Sequence, residues 1–196
     1  MPTTIAQKTL ARRPLAATAA ALACAALLAA CAPLSGPSGA AAAPPPEVAD
    51  GPVRVGFGDP AAFAEARESP RELPGRRNEW LRNLQQHLAH EATRHLAAGQ
   101  QLDVTITDIR RAGSYEPWRA PQAEDVRIVK DIYAPRIDLE FTLRAADGSV
   151  LRTGARALRD PMFLSRINRY PGSDPLRYEK TLIDDWLASE FRAARG

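Results

Sequence analysis

IDLEFTLRAADGSVLRTGARAL, residues 137–158, decides the fold. Ile137, Leu139, Phe141 and Leu143 alternate with charged or polar neighbours, a period of two that sends every second side chain to one face of a strand. Asp147-Gly148 follows, a pair that closes tight hairpins because glycine accepts a positive φ. Residues 150–158 then read as the returning strand. Moving towards the N-terminus, Leu102, Val104 and Ile106 alternate with Asp103, Thr105 and Thr107, and Val53, Val55 and Phe57 form a first strand that ends at Gly58-Asp59-Pro60. Between these two strands, residues 76–97 place Trp80, Leu81, Leu84, Leu88, Ala92 and Leu96 within one half of a helical wheel, and Gly99 ends the helix. A strand-helix-strand crossover makes its two strands parallel. Towards the C-terminus, a helix from Asp174 turns Leu176, Leu182, Ile183, Trp186, Leu187 and Phe191 to the core. The expected class is α+β: one small domain over 53–196, with a mixed sheet (strand-helix-strand, then β-hairpin, plus a short strand at 126–129) covered by two amphipathic helices.

The first 52 residues have another character. Lys8, Arg12 and Arg13 precede an apolar run over 15–28, with no acidic residue before Glu47. This is the layout of an export signal, and the run is shorter than the roughly 20 residues a membrane-spanning helix needs. It ends in Leu28-Ala29-Ala30-Cys31, which resembles the lipobox of bacterial lipoproteins. That resemblance implies cleavage after Ala30, leaving residues 1–30 as signal peptide and Cys31 as the lipidated first residue. Several acyl chains would hold the membrane where one binds only marginally. Ala32 after the cysteine, by the sorting rule of such lipoproteins, implies the outer membrane, with the domain facing the periplasm. The competing reading is an ordinary Ala-x-Ala cut within 40–43. Residues 31–52, rich in Ala, Pro, Gly and Ser, read as a tether of about 25 Å as a coil and roughly 60 Å extended.

Export also changes the charge argument. The whole chain carries 26 basic and 23 acidic residues, and removing the three basic residues of the signal leaves 23 of each. A formally neutral mature protein offers no basic stripe, so no nucleic-acid partner is expected. Cys24 would leave with the signal and Cys31 would be acylated, so the domain would hold no thiol for a disulfide, a nucleophile or a metal.

Few residues carry a chemical signature. His87, Glu91 and His95 fall at successive fours on one helix, a spacing open to a weak two-histidine, one-carboxylate site. His90 and His95 are five apart and point about 140° from each other, which is not the H-E-x-x-H arrangement. The structural reading of these histidines is preferred, and neither a metal nor a cofactor is assigned. No G-x-S-x-G elbow is present, and Gly56-x-Gly58 runs into Asp59-Pro60 instead of opening a cofactor-binding helix. Glu179 and Glu190 fall inside the apolar arc of the last helix, where a carboxylate must be paired, protonated or part of a site. Arg127, Lys130 and Arg136 are the expected partners in a buried ion-pair network, with an acid-base site as the alternative. Tyr115 and Trp118, in a loop with two prolines, suit either a docking surface or a cap on the sheet edge.

Three stretches, VRVGFGDP (53–60), VKDIYAPRI (129–137) and Tyr178-Glu-Lys with Leu182-Ile-Asp-Asp-Trp186, resemble a family of proteobacterial envelope proteins, Domain of Unknown Function 3016. Ala134 stands where another proline is expected, and Pro161 interrupts the segment after the hairpin. The resemblance implies no activity, substrate or catalytic residue. The expected function is therefore a membrane-anchored envelope lipoprotein whose domain, non-catalytic, binds an envelope protein or a cell-wall component. The alternatives are a small-ligand site between sheet and helices, and a hydrolase or metal-dependent enzyme using Glu179 or the His87, Glu91 and His95 face.

Overall fold

The computed structural model describes residues 45–118 and 126–191, which belong to one compact unit. The expected signal peptide, Cys31, the tether as far as residue 44 and part of the loop after Trp118 lie outside the described residues. The elements are β1 (Val48–Asp50), β2 (Val53–Phe57), α1 (Ala64–Glu68), α2 (Pro74–Thr93), β3 (Gln101–Arg110), β4 (Ser114–Tyr115), β5 (Arg127–Ile128), β6 (Arg136–Arg144), β7 (Val150–Arg159) and α3 (Arg177–Glu190). Five strands form a mixed sheet in the order β1-β2-β3-β6-β7, and β4 with β5 makes a separate antiparallel pair.

The architecture is α+β, as the hydrophobic periods predict. β2 and β3 pair in parallel across the crossover, with Val53 beside Leu102 and Val55 beside Val104. β3, β6 and β7 pair antiparallel, and Phe141 faces Val104 on one side and Gly154 on the other. The inward positions of β2, β3 and β6 are buried against Leu81, Leu84 and Leu88 of α2 and Ile183, Trp186 and Leu187 of α3. α2 covers β1 and β2, α3 touches β6 and β7, and the two helices pack on each other. Each fully buried leucine or isoleucine contributes about 1.5–3 kcal/mol by leaving water. All members of this core lie between Val53 and Phe191, so the unit carries its whole apolar interior within itself. No helix among the described residues is long and apolar enough to cross a membrane.

Four details depart from the sequence reading. Residues 48–50, expected to belong to the tether, form a strand antiparallel to β2, and the Gln85 amide donates to both Pro46 O (3.0 Å) and Val55 O (2.6 Å). A three-residue edge strand held by backbone bonds leaves no hydrophobic period to read. A third helix, α1, sits between Pro60 and Pro70, too short to show a wheel. α2 starts two residues early, because Pro74 suits the first helical turn, and stops at Thr93. Finally, β7 buries little besides Leu158, since its inward positions opposite Leu139 and Leu143 are Arg156 and Arg152.

Gly113 has a positive φ of 85°, and a Cβ there would stand 2.8 Å from Ile128 O. Glycine lets the chain leave β3 sharply and bring β4 against β5.

Candidate functional site

The end of β3 carries the charge chemistry. Phe63 is buried, and Ala64 N at the start of α1 donates to Asp108 Oδ1 of β3 (2.6 Å), which together fix α1 against that strand. Glu65 is thereby driven inward until only 1% of it is exposed. Its carboxylate accepts from Arg111 N (2.9 Å), Arg111 Nε (3.1 Å) and Nη2 (2.9 Å), Ser69 Oγ (3.0 Å) and Arg127 Nη2. Arg111 Nη2 also donates to Glu72 Oε1 (2.6 Å), which accepts from Trp80 Nε1 (3.0 Å) as well. The guanidinium of Arg111 lies 4.5 Å from the Trp80 ring centroid, and that of Arg127 lies 5.0 Å from Tyr115. Arg127 Nη1 reaches the carbonyls of Arg111, Ala112 and Gly113, binding the turn after β3 from below.

Burial alone would raise the pKa of Glu65, but the fields of Arg111 and Arg127 and the donated hydrogen bonds outweigh it and hold the carboxyl below its ordinary value. Arg111 is likewise pulled down by burial and raised above its usual value by Glu65 and Glu72. These groups keep fixed charges and do not exchange protons near neutral pH.

Glu179 stands beside this network without joining it. The carboxyl is fully buried; Oε1 accepts from Ala112 N (2.6 Å) and Oε2 has no hydrogen-bond partner among the described residues. Burial pushes its pKa up against the weaker pull of the Ala112 N–H, Arg111 and Arg127. The expected partners go elsewhere: Arg127 to Glu65, Lys130 to Glu116, Arg136 to Asp108. Glu190 is paired from β7, by Arg156 Nε (2.7 Å) and Arg152 Nη1 (3.1 Å). A buried ion-pair network is present, but it centres on Glu65 of α1 and not on Glu179 of the last helix, the expected centre. Glu65 was missed because its only sequence signal is Phe63-Ala64-Glu65 between two prolines.

The pKa shift of Glu179 gives a sign. A carboxyl raised in the fold takes up a proton on folding, so its cost is absent below the unfolded pKa and grows as pH rises towards the folded one. Glu179→Gln keeps an acceptor for Ala112 N and removes the ionisable group. Its melting temperature is expected to exceed that of the wild type near pH 7, with the gap closing near pH 4. Thermal melts across this range check it.

The histidine face does not converge. His87 Nε2 meets Asp184 Oδ1 of α3 (2.9 Å), and Tyr170 OH donates to Asp184 Oδ2 (2.6 Å). Burial would raise Asp184, but His87 and Tyr170 hold it below the usual carboxylate range. Glu91 instead accepts from Arg94 (3.1 Å), so His87, Glu91 and His95 form no common site. No group of three His, Cys, Asp or Glu among the described residues is placed to hold a metal.

Above the Glu65 network opens a cleft of about 1160 Å³, between the α1–α2 connection, the first turns of α2 and the segment after β4. Arg111, Glu72 and Ser69 line it, with Trp80 and Tyr115 as walls, Arg76, Glu79 and Asn83 along α2, and Trp118, 73% exposed, at the rim. Of the two readings for the loop aromatics, Tyr115 packs inward on Arg127 while Trp118 faces outward.

No curated protein matches the chain. A model of one family covers residues 51–189, hence the whole Glu65 network and the whole cleft, and leaves β1 outside. The chain belongs to this family, described as protein of unknown function DUF3016.

Proposed function

We propose that the chain is an exported lipoprotein, cut before Cys31, acylated on that thiol and held at the outer membrane, with its domain facing the periplasm as a non-catalytic binding module. The cleft receives the partner, an envelope protein or a cell-wall component. One observation carries the binding role: an open cleft whose floor is locked by paired charges while Trp118 stands exposed at its rim beside Tyr115 and Arg76. Trp, Tyr and Arg are the side chains that most often dominate binding energy, because each brings a large rigid face and a polar handle. The anchoring rests on the charged start, apolar run and Leu28-Ala29-Ala30-Cys31 of the first 31 residues. The catalytic alternative has less support, since Glu179 has no surface to offer a substrate and His87 is engaged by Asp184.

One set of variants tests both halves in cells fed labelled fatty acid. Cys31→Ser is expected to take up no label and to stay at precursor size; incorporation into this variant overturns the anchor. In crosslinking pull-downs, Trp118→Ala is expected to lose the partner, with affinity reduced by about 2 kcal/mol, roughly thirtyfold. Equal recovery by wild type and variant removes the cleft as the binding site.

A further inference from the structure

Residues 160–176 join β7 to α3 without a regular element, and connections longer than about 12–15 residues of this kind are uncommon and usually functional. The loop is nevertheless well held. Phe163 is buried edge-on against Tyr178 (4.8 Å between centroids), Asn168 Nδ2 donates to Arg177 O (3.2 Å), Met162 N to Asp160 Oδ1 (2.9 Å), and Tyr170 is fastened to Asp184. From this fixed frame three large apolar side chains point into water: Met162 (60% exposed), Leu164 (45%) and Ile167 (99%). Single exposed apolar side chains need no explanation; three within six residues on a rigid loop do.

Arg166 and Arg169 flank these tips. Arg166 pairs with Asp160 and Asp185, and Arg169 with Asp184 and Asp185, and in every pair the arginine is the more exposed partner. Asp160 and Asp184 are largely covered, while Asp185 and the two arginine side chains remain partly open to solvent. We infer that this loop is a membrane-surface contact, with Met162, Leu164 and Ile167 entering the boundary between headgroups and acyl chains while Arg166 and Arg169 meet anionic lipid phosphates.

Two considerations favour a lipid surface over a protein partner. An apolar tip contributes to a protein interface only where a matching pocket receives it, whereas a fluid bilayer accepts any apolar shape and adds to it the attraction of basic side chains for anionic headgroups. Residues 32–44, at roughly 20 Å as a coil, are short enough to hold the domain near the surface where Cys31 would be anchored. The inference does not rest on that anchor, because the unit from Gly39 onward has its own core and can be tested without Cys31.

The test is co-sedimentation of residues 39–196 with phosphatidylglycerol-containing vesicles and with pure phosphatidylcholine vesicles. This fragment is formally neutral, with 23 basic and 23 acidic residues, so net charge alone does not draw it to the anionic vesicles. Expected results are preferential sedimentation with the anionic vesicles, weakening in high salt, and a fall of about tenfold or more in partitioning for Ile167→Asp and Met162→Asp. Their melting temperatures should match the wild type, since both side chains already face water. The inference is overturned if the fragment sediments with neither vesicle, or if Ile167→Asp binds as the wild type does.

Discussion

Glu65→Ala is expected to destabilise the domain by about 3–5 kcal/mol, because it leaves Arg111 and Arg127 buried with their common carboxylate gone. Against the roughly 5–15 kcal/mol typical of a whole domain, this is a large share. Equilibrium urea unfolding measures it. Glu65→Gln should be nearly as damaging, since an amide keeps the shape but supplies no charge. The pH dependence follows from the lowered folded pKa of Glu65: its stabilisation is complete above the ordinary carboxylate value and is lost as pH falls through the depressed one. The wild type should therefore lose stability on acidification more steeply than Glu65→Gln. Arg127→Ala combined with Glu65→Ala should cost clearly less than the two single changes added together, because each already breaks the same pair. Additive effects would show that Glu65 is not the hub.

Trp186→Ala should also cost about 3–5 kcal/mol. The indole fills the space between sheet and α3, edge-on to Phe141 (5.6 Å between centroids) and Phe191 (5.8 Å). Its Nε1–H is buried with no acceptor among the described residues. Trp186→Phe therefore loses no hydrogen bond and should cost less than about 1.5 kcal/mol. If the two variants unfold at the same denaturant concentration, the ring is not a filler of the core.

The parts of the fold legible in the sequence are those whose burial is periodic. Ile137 to Leu143 could be read because each second residue is apolar, and α2 because its apolar stripe runs unbroken from Trp80 to Ala92. What could not be read is built from single contacts. β1 exists because Gln85, an unremarkable polar residue in a helix, donates to Pro46 and Val55. α1 exists because Phe63 finds a pocket and Asp108 accepts from Ala64 N. The candidate site divides in the same way. Glu179 was legible as a buried carboxylate, since an acidic residue within an apolar arc has nowhere else to go. Its partners were not, because Arg127 and Arg111 choose between Glu65 and Glu179 by distances that depend on α1. Trp118 could be singled out as a loop aromatic, but only the fold brings it together with Trp80, thirty-eight residues earlier, around one cleft.

The short strand β1 has a mechanical consequence. It is joined to β2 by a tight turn and lies at the sheet's edge, so a pull from the N-terminal side opens its bonds to β2 in sequence, like a zipper, before the load reaches any buried leucine. Residues 45–50 released in this way would add about 20 Å of extended chain while the core stays closed. β1 is thus the part of the sheet expected to yield first under tension from that side.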